Sequence, residues 1–278
     1  MFKITQPEYI LMKKYIEEHC GIYLQDDKEY LIESRLADLL EETGSRSFQE
    51  FYLKARIHDP AGELRDRIVD AMTTNETSWF RDKNAWDYLK EVAVPALLDR
   101  AAETGRASVW SAAVSSGQEV YSLLMLLDEA ARERGQSSLP ERIGILASDI
   151  SSSALSSAMS AAYDSIAMSR GLPEDKKKKY FRQTGNVWLF DQELKKRVQF
   201  KRFNLQNKFV FPENFDLILC RYVSIYFADA FKRELFAKMT GVLKSRGVLL
   251  LGATESLREF STDFEISYYK NTVINTRK

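Results

Sequence analysis

The feature that most constrains this chain is a change of hydrophobic period near residue 109. Before it, apolar residues recur at helical spacing; after it, short runs rich in β-branched and aromatic residues alternate with helix-length stretches. That order reads as an all-α front part followed by an α/β part with a mainly parallel sheet. Pro7 opens a stripe of Tyr9, Met12, Ile16 and Cys20, with Gly21 as its stop. Ile32, Leu36, Leu39 and Leu40 mark a second helix ending at Thr43-Gly44, Phe48, Phe51 and Tyr52 a third, and Leu64, Ile68 and Met72 a fourth. Strands are predicted at 109–114, 143–148, 198–203, 215–221 and 247–252, with helices at 119–133, 152–162 and 230–243. Residues 266–276 suit an antiparallel strand or hairpin that closes the sheet. A basic insert, with Gly185 beside alternating Val187 and Leu189, interrupts the repeat and suits a small β-subdomain. The expected division is a helical domain over residues 1–85 and an α/β domain over 86–278, the insert lying at about 163–197. A chain of 278 residues is long enough for two such cores.

Several classes of function lack raw material. No apolar run approaches the roughly 20 residues that cross a bilayer. The start MFKITQPEYI has none of the three regions of an export signal, so a cytoplasmic protein without membrane insertion is expected. Cys20 and Cys220 form no CxxC pair and suit reduced thiols. His19 and His58 are the only histidines and both belong to the helical front, which disfavours a Ser-His-Asp hydrolase and a histidine metal site; no metal is expected. A formal net charge of zero argues against a nucleic-acid binder. Residues 170–202 nevertheless hold eleven Lys/Arg against four Asp/Glu, which suits either a solvated face or a surface for an acidic partner.

Ligands of open α/β sheets bind outside the carboxyl ends of the strands. After the first predicted strand comes Ser111-Ala112-Ala113-Val114-Ser115-Ser116-Gly117-Gln118-Glu119, a small-residue loop with an acid in the first helical turn. The second strand ends in Ser148-Asp149-Ile150, where a carboxylate is placed to accept from ribose hydroxyls. The pair points to a nucleoside-containing cofactor. A dinucleotide needs a G-x-G-x-x-G turn for its pyrophosphate, and this loop has only Gly117; S-adenosylmethionine, which has no phosphate, matches better.

Further segments complete a set: Thr74-Asn75-Glu76-Thr77-Ser78-Trp79-Phe80-Arg81, Phe203-Asn204-Leu205, Leu219-Cys220-Arg221-Tyr222-Val223-Ser224-Ile225-Tyr226-Phe227, and Gly252-Ala253-Thr254-Glu255-Ser256-Leu257. With these, the chain resembles the chemotaxis-receptor glutamate O-methyltransferases, collinearly over nearly its whole length and including the helical domain. The resemblance implies a class I methyltransferase fold with a Rossmann-like sheet. It also implies that S-adenosylmethionine is gripped by residues matching Asn75, Thr77, Arg81, Glu119, Asp149, Asn204 and Leu205, with Tyr222 and Val223 beside them. Arg81 and Tyr226 would border the reacting methyl group and orient a glutamate on a chemoreceptor's cytoplasmic helices, giving a methyl ester and S-adenosylhomocysteine. Nothing in the sequence requires more than a monomer.

The residues alone leave plainer alternatives: Asn75 or Thr77 as caps of a helix starting near Asp82, Arg81 as a surface ion-pair partner, and Tyr226 as a sheet-end aromatic. The chain also departs from the family. Tyr222 stands where Asn is usual, Gln118 replaces the first acid of an acidic pair, and Val120 replaces a proline. A phenol lacks the paired donor and acceptor of an amide, so a non-catalytic receptor-binding or scaffold relative is the alternative. The span from Tyr180-Phe181 to Glu193-Leu194 is short, as in relatives that dock without a receptor's C-terminal pentapeptide. Arg35 and the basic insert are the residues expected to meet an acidic receptor helix.

Overall fold

The computed structural model describes residues 2–278. The front part is a bundle of α1 (Gln6–Cys20), α2 (Glu29–Glu42), α3 (Phe48–Ile57) and α4 (Glu63–Met72). Helix α1 starts where the Thr5 backbone N–H donates to the Glu8 carboxylate at 2.9 Å. It stops at Gly21, whose φ of +75° favours glycine and where a Cβ would lie 2.9 Å from the Phe231 ring. The stripes expected from the sequence meet: Tyr9, Met12, Ile16, Ile32, Leu36, Phe48, Phe51, Ile68 and Met72 are all buried in one cluster.

A helical run follows, made of α5 (Lys83–Tyr88), a π-turn over Leu89–Ala93, and α6 (Val94–Thr104). The sequence predicts only its start, near Asp82. Pro95 lies in the first turn of α6 and has no N–H to donate, so the wider turn falls where the helical ladder loses a donor.

The α/β part then runs β1 (Ala107–Ala112), α7 (Gln118–Glu133), β2 (Ile143–Asp149), α8 (Ser152–Ser160), β3 (Ala162–Tyr163), α9 (Ser165–Ser169), α10 (Glu174–Tyr180), β4 (Phe181–Thr184), β5 (Val187–Phe190), α11 (Gln192–Lys195), β6 (Val198–Arg202), β7 (Phe215–Cys220), α12 (Asp229–Val242), β8 (Leu243–Leu251), β9 (Phe264–Tyr269) and β10 (Thr272–Arg277). Seven strands form one sheet in the order β6-β2-β1-β7-β8-β10-β9. The first five are parallel, and β10 lies antiparallel to both β8 and β9. All five parallel strands lie where the hydrophobic runs predict them, with shifted ends. Strand β1 stops at Ala112, two residues early, because Ala113 and Ser115 adopt φ of +64° and +52° and turn the chain out of the sheet. The insert folds as a three-stranded sheet, β3-β5-β4.

Burial explains the centre of the sheet. Every residue of β1 is buried, as a strand covered on both faces must be. Trp110 is wholly buried, with ring centroids 5.0–5.8 Å from Phe203, Phe209, Phe211 and Phe215, and its indole N–H donates to Ser148 Oγ at 2.9 Å.

The bundle docks on the carboxyl ends of these strands. Asn204 Nδ2 donates to the carbonyl of His19 at 2.8 Å and Gln206 Nε2 to that of Glu17 at 3.0 Å, so side chains beyond β6 satisfy the last carbonyls of α1. Tyr23 N–H donates to the Tyr226 carbonyl at 2.8 Å beside a bridge between Ile22 and Phe227. From α4, Asp70 accepts from Ser152 N–H at the start of α8, and Asp66 pairs with Arg202. Arg35 of α2 donates to the Met72 carbonyl and, at 2.9 Å, to Thr74 Oγ1, which fastens the linker between the two parts. No helix among the described residues is long and apolar enough to cross a membrane.

Candidate functional site

The chain places β1, β2 and β6 in succession on one side, then returns to place β7 and β8 on the other, so the direction of winding reverses between β1 and β7. A cleft of about 950 Å³ opens above that point, within the range of ligand pockets. It is walled by the loops after β1, β2, β6 and β7, by the linker Thr73–Arg81, and by Cys20 and Ile22 of the bundle. All ten residues singled out from the sequence line it: Asn75, Thr77 and Arg81; Glu119 and Asp149; Asn204 and Leu205; and Tyr222, Val223 and Tyr226.

Asp149 is buried at the end of β2, where one carboxylate oxygen accepts from Ser115 N–H at 2.8 Å and the other from Ser151 N–H at 2.9 Å. Burial raises its carboxyl above the ordinary range, against the lowering effect of these backbone donors and that of Ile150. Each oxygen retains acceptor capacity toward the cleft, which suits a vicinal diol. Glu119 is held from both sides, accepting from Ser111 Oγ and from Arg221 Nη1, each at 2.9 Å.

Arg221 is the first of two buried residues that build the site and that the sequence motifs do not single out. Its side chain is 2% exposed. It links Glu119 to Asp82 at 2.9 Å and donates to the Arg81 carbonyl. Glu255 is the second. One of its oxygens accepts from Tyr222 N–H at 2.6 Å and Gly252 N–H at 2.8 Å, the other from Ser224 N–H at 2.8 Å, Val223 N–H at 3.1 Å and Ser224 Oγ at 2.6 Å. A buried acid two loops away in sequence carries no periodic signal, and neither does a buried arginine.

Asn75 and Thr77 lie well upstream of α5 and do not cap it; the Asn75 carbonyl accepts from Ser115 Oγ at 2.7 Å, which ties the linker to the loop after β1. Arg81 has no carboxylate partner among the described residues. Its guanidinium lies 3.6 Å from the centroid of the Tyr222 ring and donates weakly to the Glu76 carbonyl at 3.3 Å. Tyr226 packs between the bundle and the sheet, and its hydroxyl bonds no described residue. The Asn204 amide is engaged by His19 and Gln206, so this side chain borders the cleft while holding the bundle in place. Cys20 is no nucleophile: burial pushes its thiol up to about 11.

The donor set fits S-adenosylmethionine. Two carboxylates and small-residue loops line a cleft with no glycine-rich phosphate cradle among the described residues, and Arg221 pairs with both Glu119 and Asp82 from behind. Sheet order, switch-point cleft and this acid pair define a class I S-adenosylmethionine-dependent methyltransferase. The chain belongs to the CheR methyltransferase family: residues 7–73 match its "all-alpha domain" and residues 75–273 its "SAM binding domain". It is 40% identical over 261 residues to chemotaxis protein methyltransferase 1 of Pseudomonas aeruginosa, covering 93% of each chain. It is 37% identical to chemotaxis protein methyltransferase Cher2 of Pseudomonas putida, covering 91% of each, and 38% identical to a chemotaxis protein methyltransferase of Vibrio anguillarum, covering 95% of this chain and 94% of that one. As a member of that family it is a methyltransferase that uses S-adenosylmethionine.

Proposed function

We propose that this chain esterifies glutamate side chains on the cytoplasmic helices of a chemoreceptor, and that it docks there without a C-terminal receptor pentapeptide. The observation that carries the substrate class is the contrast between two arginines in one cleft. Arg221 is buried and neutralised by Glu119 and Asp82, whereas Arg81 keeps most of its donors and has no carboxylate partner among the described residues. An unneutralised guanidinium at a cleft that also offers the unpartnered Tyr226 hydroxyl is suited to orient an incoming carboxylate.

In this reading Asn75, Thr77, Arg81, Glu119, Asp149, Asn204 and Leu205 hold S-adenosylmethionine, Asp149 through the ribose hydroxyls, with Tyr222 and Val223 beside them. When bound, the cofactor supplies a methyl group already activated on a sulfonium. A glutamate carboxylate is ionised at neutral pH, so the protein need not remove a proton. Arg81 and Tyr226 align the carboxylate oxygen, and the walls around Val223 and Leu205 exclude water. The short hairpin β4–β5, with only Gly185 and Asn186 between its strands, supports docking without the pentapeptide.

The test is transfer of labelled methyl groups to a soluble receptor cytoplasmic fragment. Label released as methanol by mild alkali marks a carboxyl ester; label that resists alkali, or none, refutes the glutamate reading. The Arg81→Lys variant is expected to lose roughly 10- to 100-fold in kcat, because an ammonium cannot present the planar fork that aligns a carboxylate. Its affinity for S-adenosylhomocysteine should fall by less than its kcat, since the other cofactor contacts survive.

A further inference from the structure

The residue that departs most from the family pattern has a visible task. Tyr222 has φ of +60°, a left-handed conformation that an aromatic residue rarely adopts and that asparagine tolerates better. Three features hold it there. Its N–H is bound by the Glu255 carboxylate, its ring lies against Gly252, where a Cβ would approach to 3.0 Å, and its hydroxyl donates to the Asp82 carboxylate. In this pose the ring faces the Arg81 guanidinium at 3.6 Å.

The segment carrying Arg81 is itself strained. Phe80 and Asp82, on either side of it, have φ of +48° and +67°. Two residues keep Asp82 in place, Arg221 by its ion pair and Tyr222 by its hydroxyl, and Arg221 also binds the Arg81 carbonyl. Tyr222 therefore meets the Arg81 segment twice, once under the guanidinium and once on the next residue. Burial and the Asp82 carboxylate raise the Tyr222 phenol above its ordinary range, so it stays protonated and remains a donor at neutral pH.

We propose that Tyr222 is a positioning residue for Arg81, stacking beneath its guanidinium and anchoring Asp82 so that Arg81 is presented to the substrate carboxylate. The cation–π contact takes over the orienting work that a carboxylate partner would do, and leaves the charge of Arg81 available to the acceptor. The part concerning the substrate rests on the glutamate reading above; the part concerning the stack does not.

Two variants separate the contributions. Tyr222→Phe keeps the ring and removes the hydroxyl, while Tyr222→Asn removes the ring and suits the backbone. The first readout is the Arg81 Nε–H proton resonance of the full chain, read without substrate. It should be shifted upfield by the ring in the wild type and in Tyr222→Phe, and should move to the position of an unstacked arginine in Tyr222→Asn. An unchanged resonance in Tyr222→Asn overturns the proposal. The second readout is a split of kinetic and binding constants on a receptor fragment. Tyr222→Asn should lose about tenfold in kcat and Tyr222→Phe about threefold, as expected for a loosened orienting group. The affinity of both for S-adenosylhomocysteine should stay within about threefold of wild type. A matching fall in that affinity would make Tyr222 a cofactor wall and overturn the positioning role, as would kcat unchanged in Tyr222→Asn. A wild type that methylates no receptor fragment refutes the glutamate reading instead, and the resonance then decides the stack alone.

Discussion

Replacing Glu255 with alanine is expected to destabilise the protein by roughly 3–5 kcal/mol, and Glu255→Gln by nearly as much although it changes one atom. The reason is the number and kind of groups that Glu255 serves. It is 7% exposed and accepts from the backbone N–H groups of Tyr222, Val223, Ser224 and Gly252 and from the Ser224 hydroxyl. Each of these donors, left buried without a partner, costs about 1–3 kcal/mol. Both carboxylate oxygens are occupied by donors, so an amide would aim its own N–H groups at one set of them. The loop concerned carries Tyr222 and Val223, so cofactor affinity should fall with stability. Urea denaturation of the three proteins, with S-adenosylhomocysteine titrations on the folded samples, checks this. A Glu255→Gln protein within about 1 kcal/mol of wild type would show that the loop holds its shape without the carboxylate.

Arg221→Met should be comparably damaging, by about 3–5 kcal/mol, because it removes one partner from a buried ion network and leaves the others behind. The Arg221 side chain is 2% exposed, and Glu119 and Asp82 are 12% and 25% exposed. Without the guanidinium these two carboxylates face each other's loops uncompensated, and the strained turn at Asp82 loses its main support. Arg221→Lys should recover only part of the loss, since a compact ammonium on a shorter side chain cannot span Glu119 on one side and Asp82 and the Arg81 carbonyl on the other as the guanidinium fork does. Neutralising the partners as well, in Arg221→Met with Asp82→Asn and Glu119→Gln, should restore stability toward wild type but not cofactor binding. If the triple variant is no more stable than the single, the damage lies in packing and not in stranded charge.

The fold was legible where a single physical rule governs a stretch of sequence. Tyr9, Met12 and Ile16 face the bundle core because three- and four-residue spacing lines one side of a helix, and the runs that became β1, β2, β6, β7 and β8 are apolar because such strands are covered on both faces. The run from Lys83 to Thr104 carries little sequence signal because its π-turn breaks the periodicity and its length is divided by Pro95. The end of β1 falls two residues before the end of its hydrophobic run because Ala113 and Ser115 adopt left-handed angles that neither alanine nor serine advertises.

The candidate site was legible by position, from acids at the ends of two strands and motifs in a fixed order. It was not legible by partnership. Nothing local in the sequence tells that Asn204 grips the carbonyl of His19, that Arg35 is fastened to Met72 and Thr74, or that Arg81 rests on Tyr222. These contacts join elements far apart in the chain. The basic insert shows the same limit. Lys176 pairs with Glu129, Lys179 lies near Asp128 and Glu129, and Lys177 lies over Trp188, so much of its charge is answered within the fold.

The central claim is that the cleft above β1 and β7 holds the cofactor with Tyr222 in place. The most direct test is calorimetric titration of the purified chain with S-adenosylhomocysteine, alongside Asp149→Ala. Saturable one-to-one binding is expected of the wild type, weakened at least about a hundredfold in the variant through loss of a doubly accepting carboxylate. Because burial raises the Asp149 carboxyl, binding should also weaken as the pH falls through a range above that of an exposed aspartate, while the protonated form is the easier one to keep buried. A well-folded wild type that binds nothing would contradict the account, and would mean that Tyr222 closes the pocket and that the chain acts as a receptor-binding scaffold.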